Sequence, residues 1–194
     1  MNQLSLTPVL LLLPGILACQ PAGDQPQTST EPSAPTEEEV IAHGEYLVNI
    51  LGCDDCHTPK MMTDQGPVPD HSRRFMGHPA DSPLPEIPAS VVGPNGWLLF
   101  ANDLTAAVGP WGVSYSANLT PDPTGIGNWT EEQFRVSITQ GKHKGLPNGR
   151  PLLPPMPWQG YSHLTDEDVH AIFTFLQQVT PIANIVPTPQ PPTQ

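Results

Sequence analysis

Apolar positions follow a helical period in three stretches of the chain, and a capping signature precedes each one. Thr36 with Glu39 opens the first, where Val40, Gly44, Leu47 and Leu51 share one face, predicting a helix that runs to about Leu51. Thr130 with Gln133 opens the second, which carries Phe134 and Ile138 and stops at Gly141. Thr165 with Asp168 opens the third. There Val169, Ile172, Phe173 and Leu176 keep the period closely, and Pro181 is expected to end it. Between the first two helices, residues 58–120 show no such period and are dense in proline and glycine. An Asn95-Gly96 turn signal beside Trp97-Leu98-Leu99-Phe100 leaves room for a small β-hairpin, pairing with Leu104–Val108 or with Val113–Tyr115.

The expectation is therefore a mainly α domain over residues 36–183, holding a long Pro/Gly-rich insertion at about 58–120. The flanks have little to bury. Residues 19–35 read as a flexible linker and residues 184–194 as a disordered proline-rich tail. Residues 1–18 contain an apolar run, Val9–Ala18, too short to span a bilayer and suited to the core of a signal peptide. The sequence Ile16-Leu17-Ala18-Cys19 resembles the lipobox of bacterial lipoproteins. That resemblance implies lipidation of Cys19 and a membrane anchor on the periplasmic or cell-envelope side; an ordinary signal peptide is the alternative.

Composition narrows the function. Twenty-seven prolines in 194 residues are too many for a regular helical bundle, so loop must be extensive. A net charge of −12 repels phosphates, which excludes nucleic acid as a partner. Of the three cysteines, two stand in Cys53-Asp54-Asp55-Cys56-His57, the C-x-x-C-H attachment sequence of c-type haem. Two thiols three positions apart on a helical turn can reach both vinyl groups of one haem. The adjacent His57 imidazole can then lie under the iron. A structural zinc site would need further ligands, usually a second paired cluster. A thioredoxin-like pair would follow a strand, whereas this one follows an amphipathic helix.

A second iron ligand can be sought among the methionines. Met61 and Met62 follow His57 too closely to cross to the opposite haem face, and Met76 is a third candidate. Met156 lies in Leu153-Pro154-Pro155-Met156-Pro157-Trp158, where three prolines stiffen the backbone, and is the favoured ligand. His143, in a loop before Met156, is the histidine best placed to displace it. Arg150, Trp158 and Tyr161 flank the Met156 loop as candidate donors to the haem propionates, against the simpler reading of a solvated arginine and two packing aromatics. Arg73 and Arg74 are either a docking spot or a solvated basic pair.

Gly44, CDDCH, the Met156 loop and the final amphipathic helix together resemble class I cytochromes c. Asn118-Leu-Thr-Pro-Asp-Pro-Thr-Gly-Ile-Gly-Asn-Trp129, LPPMPW and Leu164-Thr-Asp-Glu-Asp168 are similar to the cytochrome subunits of periplasmic alcohol and sugar-acid dehydrogenases. The resemblance implies a class I cytochrome c fold whose first and last helices cross with Gly44 at the contact, and Met156 as axial ligand. The function expected is a single-haem electron carrier between redox partner proteins, with no substrate chemistry of its own. A haem enzyme or gas sensor with an open sixth position is the alternative.

Overall fold

All three capping signatures close as hydrogen-bonded boxes in the computed structural model, which describes residues 33–87, 92 and 95–192. The expected signal peptide, Cys19 and nearly all of the expected linker lie outside the described residues. Thr36 Oγ1 accepts from Glu39 N at 3.3 Å while the Glu39 carboxylate accepts from Thr36 N at 2.7 Å, opening α1 (Glu37–Ile50). The CDDCH motif forms one short helix, α2 (Cys53–His57). Thr130 with Gln133 opens α3 (Glu131–Gln140), which Gly141 ends in the left-handed conformation at φ 64°. A short α4 (Trp158–Tyr161) precedes α5 (Asp166–Leu176), which Thr165 and Asp168 open. Helix α5 stops at Leu176, well before Pro181, so the proline is not what terminates it.

Helices α1 and α5 form the centre of the core. Leu47 and Val48 pack with Val169, Ile172, Phe175 and Leu176, all buried. The two backbones touch at Gly44, where an added Cβ would lie 2.0 Å from the Ala171 carbonyl oxygen. Only a residue without a side chain permits that approach. Phe75 arrives from the insertion, fully buried, and meets Phe175 edge to face at 6.4 Å.

The insertion carries two small antiparallel sheets in place of the one hairpin expected. Strand β1 (Lys60–Thr63) pairs with β2 (Gly66–Pro69) immediately after the cysteine motif. Strand β3 (Leu99–Phe100) pairs with β4 (Ala106–Gly109), setting Leu99 opposite Val108. Strand β5 (Gly112–Tyr115) completes the three-stranded sheet after a tight turn at Pro110-Trp111. Asn95-Gly96 precedes β3 and joins no pair of strands.

The expectation of a disordered tail is corrected. Asn184 is buried, donating to the carbonyls of Met76 (2.7 Å) and His78 (2.9 Å) and accepting from Ala80 N (3.0 Å). Gln190 exchanges both backbone bonds with Val113. A chain poor in apolar side chains is held here by hydrogen bonds to insertion backbone that would otherwise be orphaned.

Candidate functional site

Helix α2 brings Cys53, Cys56 and His57 onto one turn. Gly52, left-handed at φ 69°, makes the corner from α1 and allows α2 to start shortly after α1 ends. Both cysteines are half-buried free thiols, and His57 is buried. The imidazole donates from Nδ1 to the Ala117 carbonyl at 2.8 Å. That bond sets the tautomer and leaves Nε2 unprotonated, with no hydrogen-bond partner among the described residues. Burial pushes the His57 pKa below its usual range, against the pull of the Ala117 bond, so the ring is neutral at neutral pH.

Ala117 is held in turn by a lattice of backbone bonds. Gly77 N donates to the His57 carbonyl (2.9 Å), His78 N to Ser116 O (3.0 Å) and Leu119 N to Phe75 O (2.8 Å). Gly77, at φ 75°, passes so close that a Cβ would lie 2.5 Å from the Ala117 carbonyl carbon. The Asn118–Trp129 motif fixes the other side. The Asn118 carboxamide oxygen accepts from Thr120 N and Oγ1, and its NH2 group donates to Ile182 O at 2.8 Å.

A second clamp grips the motif through Asp54. Its carboxylate accepts from Arg74 Nε (3.1 Å), Arg74 Nη2 (2.7 Å) and Thr58 Oγ1 (2.7 Å). Arg74 also donates to Asn49 on α1 and lies 4.5 Å over the Phe75 ring. Burial pushes the Asp54 carboxyl up, but the Arg74 and Thr58 bonds outweigh it and hold the pKa below the usual range. Arg74 is thus a clamp on the motif, neither a docking spot nor a solvated residue. Arg73 pairs with Asp70 at 2.7 Å.

The Met156 loop is pinned at several points. Leu152 N donates to Gly141 O (2.7 Å), His143 N to Arg150 O (2.9 Å) and the Ser114 hydroxyl to Pro154 O (2.6 Å). Met156 is half-buried and packs on the helical core, whereas Met61 and Met62 are exposed on β1 and Met76 is buried. Trp158 lies over Gly141, where a Cβ would fall 2.3 Å from the indole. Tyr161 is buried beside the motif. Burial, the largest cause, pushes its pKa up to about 12, and its hydroxyl donates to Leu51 O at 2.9 Å. Arg150 donates only to its neighbour Pro151 O and has no carboxylate partner among the described residues.

These donors fit a covalently held haem: two thiols on one turn, a neutral imidazole with a committed Nδ1, and a thioether in a braced loop. Sequence reasoning misses Thr58, Gly77 and Ala117, and takes Arg74 for a docking spot or a solvated charge. Their partners lie 4 to 60 residues away, and Ala117 acts through its backbone, which leaves no side-chain signal. Gly77 in an irregular stretch is the one visible hint.

No family model matches the chain. The fructose dehydrogenase cytochrome subunit of Gluconobacter japonicus is 30% identical over 192 residues, which is 98% of this chain and 29% of that protein. The gluconate 2-dehydrogenase cytochrome c subunit of Pantoea cypripedii is 40% identical over 148 residues, 75% of this chain and 25% of that one. This chain is related to dehydrogenase cytochrome c subunits. The cytochrome c subunit of the quinone alcohol dehydrogenase of Gluconobacter oxydans agrees, at 30% identity over 149 residues, 76% of this chain and 23% of that one. The chain spans less than a third of the length of these relatives.

Proposed function

We propose that the chain is a monohaem c-type cytochrome that carries single electrons between redox proteins of the cell envelope. The observation that carries this reading is the CDDCH turn, whose buried His57 spends Nδ1 on Ala117 and keeps Nε2 for a metal. Cys53 and Cys56 would hold the haem through thioethers, and His57 and Met156 would ligate its iron. When bound, the haem supplies a one-electron couple.

The chain's own residues prepare that site. Ala117 fixes the imidazole plane, Thr58 and Arg74 fix the helical turn, and the bonds to Leu152 and Pro154 hold the Met156 loop. Arg150 and Trp158 are the propionate donors we favour. The Tyr161 hydroxyl already serves Leu51, so its part is to close the wall beside the cysteines. A dithiol redox role is disfavoured by the thiols themselves. Burial and the Asp54 charge push Cys53 to about 12, and burial with Asp55 raises Cys56, the reverse of what a reactive pair needs.

The partners we propose are a dehydrogenase subunit as donor and a second redox protein as acceptor. The acidic surface would favour basic docking faces and salt-sensitive encounters. Lipidation at Cys19 would keep the carrier at a bacterial membrane.

Mass and absorption spectra of the purified full chain test the site. One covalent haem is expected, lost in the double variant Cys53→Ala, Cys56→Ala. The oxidised protein should show a methionine-to-iron charge-transfer band that Met156→Ala abolishes. A band unchanged in that variant, or carbon monoxide binding by the reduced wild type, would refute six-coordinate His/Met ligation and favour an open-site haem enzyme or sensor.

A further inference from the structure

Strand β1 opens with Lys60, three residues beyond His57, and its side chain turns back under α2. The ammonium donates to the carbonyls of Asp54 (2.8 Å), Asp55 (3.1 Å) and Thr58. Three N–H groups meet three carbonyl oxygens, so the head is fully engaged. Two of those carbonyls belong to the helix that carries the cysteines and the histidine, at the end where the helix dipole is negative.

The position is built. Lys60 pairs with Pro69 across the β1–β2 ladder, and Asp70 N donates to Pro59 O at 2.8 Å, so the backbone from which Lys60 projects is held on both sides. The chain has only seven lysines and arginines against nineteen aspartates and glutamates. One of those few cations is spent on main-chain oxygens beneath the attachment turn, with no carboxylate within ion-pair distance among the described residues. Of the two motif carboxylates, Asp54 is already matched by Arg74. Lys60 therefore has no direct ionic partner, and the Asp55, Asp54 and Asp103 carboxylates act on it only from beyond ion-pair distance.

We infer that Lys60 is a positioning residue of the redox site: it locks the carbonyl end of the cysteine–histidine turn and places a fixed positive charge that raises the reduction potential. The inference rests on the haem reading above. The sign follows from electrostatics, because a nearby cation favours the less positive, reduced iron. A unit charge acting over about 10 Å through an effective dielectric of about 20 shifts such an equilibrium by on the order of tenfold.

Potentiometric titration of the haem-loaded full chain tests this, comparing wild type with Lys60→Met, Lys60→Gln, Lys60→Arg and the exposed-loop control Lys144→Met. Both neutral variants should keep covalent haem and the methionine charge-transfer band. Their reduced-to-oxidised ratio at fixed potential should fall about tenfold, a midpoint about 59 mV lower for a one-electron couple. Lys60→Arg should recover most of the shift, and Lys144→Met should show none. A wild-type midpoint in either neutral variant overturns the inference. So does loss of haem in both, which would assign Lys60 to folding alone. A wild type without covalent haem would instead defeat the cytochrome reading itself, before Lys60 is tested.

Discussion

Replacing Gly44 by alanine tests the packing on which the fold turns. The new Cβ would sit 2.0 Å from Ala171 O, 2.6 Å from Ala171 C and 2.8 Å from Phe175 Cβ. Ordinary contact begins near 3.4 Å, so the methyl lies more than 1 Å inside its nearest neighbour. Two of the three are backbone atoms of α5, which no rotamer change can move. The helices must separate, and even a gap of about 0.5–1 Å forfeits a quarter to a half of each dispersion contact along the seam. Overpacking of this kind typically costs about 1–3 kcal/mol, and backbone collision belongs at the upper end. Alanine recovers about 1 kcal/mol of helix propensity, leaving a net loss of about 2 kcal/mol. For a domain of this size that is a fall of roughly 4–8 °C in Tm. Gly160, with nothing within 4 Å of the point where a Cβ would stand, is the internal control: Gly160→Ala should be neutral or slightly stabilising. Thermal unfolding of both variants in one oxidation state is the assay. A Gly44→Ala protein as stable as wild type would refute the close crossing, and equal losses in both variants would refute the steric cause.

The other clamps give their own outcomes. Arg74→Ala leaves the Asp54 carboxylate half-buried without its cation and should cost about 2–3 kcal/mol in denaturant unfolding, below the fully buried range because the pair is partly exposed; Arg74→Lys should recover little, lacking the fork. Because the folded pKa of Asp54 lies below 3.8, its contribution is complete above that pH and is lost as pH falls towards the folded value. Acid titration of stability should therefore be shallower below pH 3.8 in Asp54→Asn than in wild type. Asn184→Ala strands two carbonyls and one amide, an expected loss of about 3 kcal/mol by chemical unfolding. Cys19→Ser should move the protein from the membrane to the soluble fraction on cell fractionation if the lipobox reading is right.

The helices are legible in the sequence because their determinants are local. Thr36–Glu39, Thr130–Gln133 and Thr165–Asp168 are contacts three residues apart, and the apolar period after each names its buried face. The cysteine turn is legible for the same reason. Long-range hydrogen bonding is not. Asn184 reaches residues more than 100 positions earlier, and nothing in a proline-rich polar segment marks one asparagine as buried. Arg74 has the look of a solvated charge because Asp54 stands 20 residues before it. The sheets of the insertion leave the trace of only one hairpin, since the strands are two to four residues long and too short for a period to register.

The His57–Ala117 bond has a consequence for how such chains can vary in length. Ala117 lies two residues past β5, and β5 is registered on β4 by four consecutive pairs and on Gln190 by a bridge. A single residue added or removed between Thr105 and Ala117 would slip that register, turning each side chain to the opposite face and the Ala117 carbonyl away from the imidazole. Insertions and deletions among relatives should therefore avoid this stretch, even though it is loop-like in composition and remote in sequence from the cysteine pair. The length of the segment is, in effect, part of the ligand.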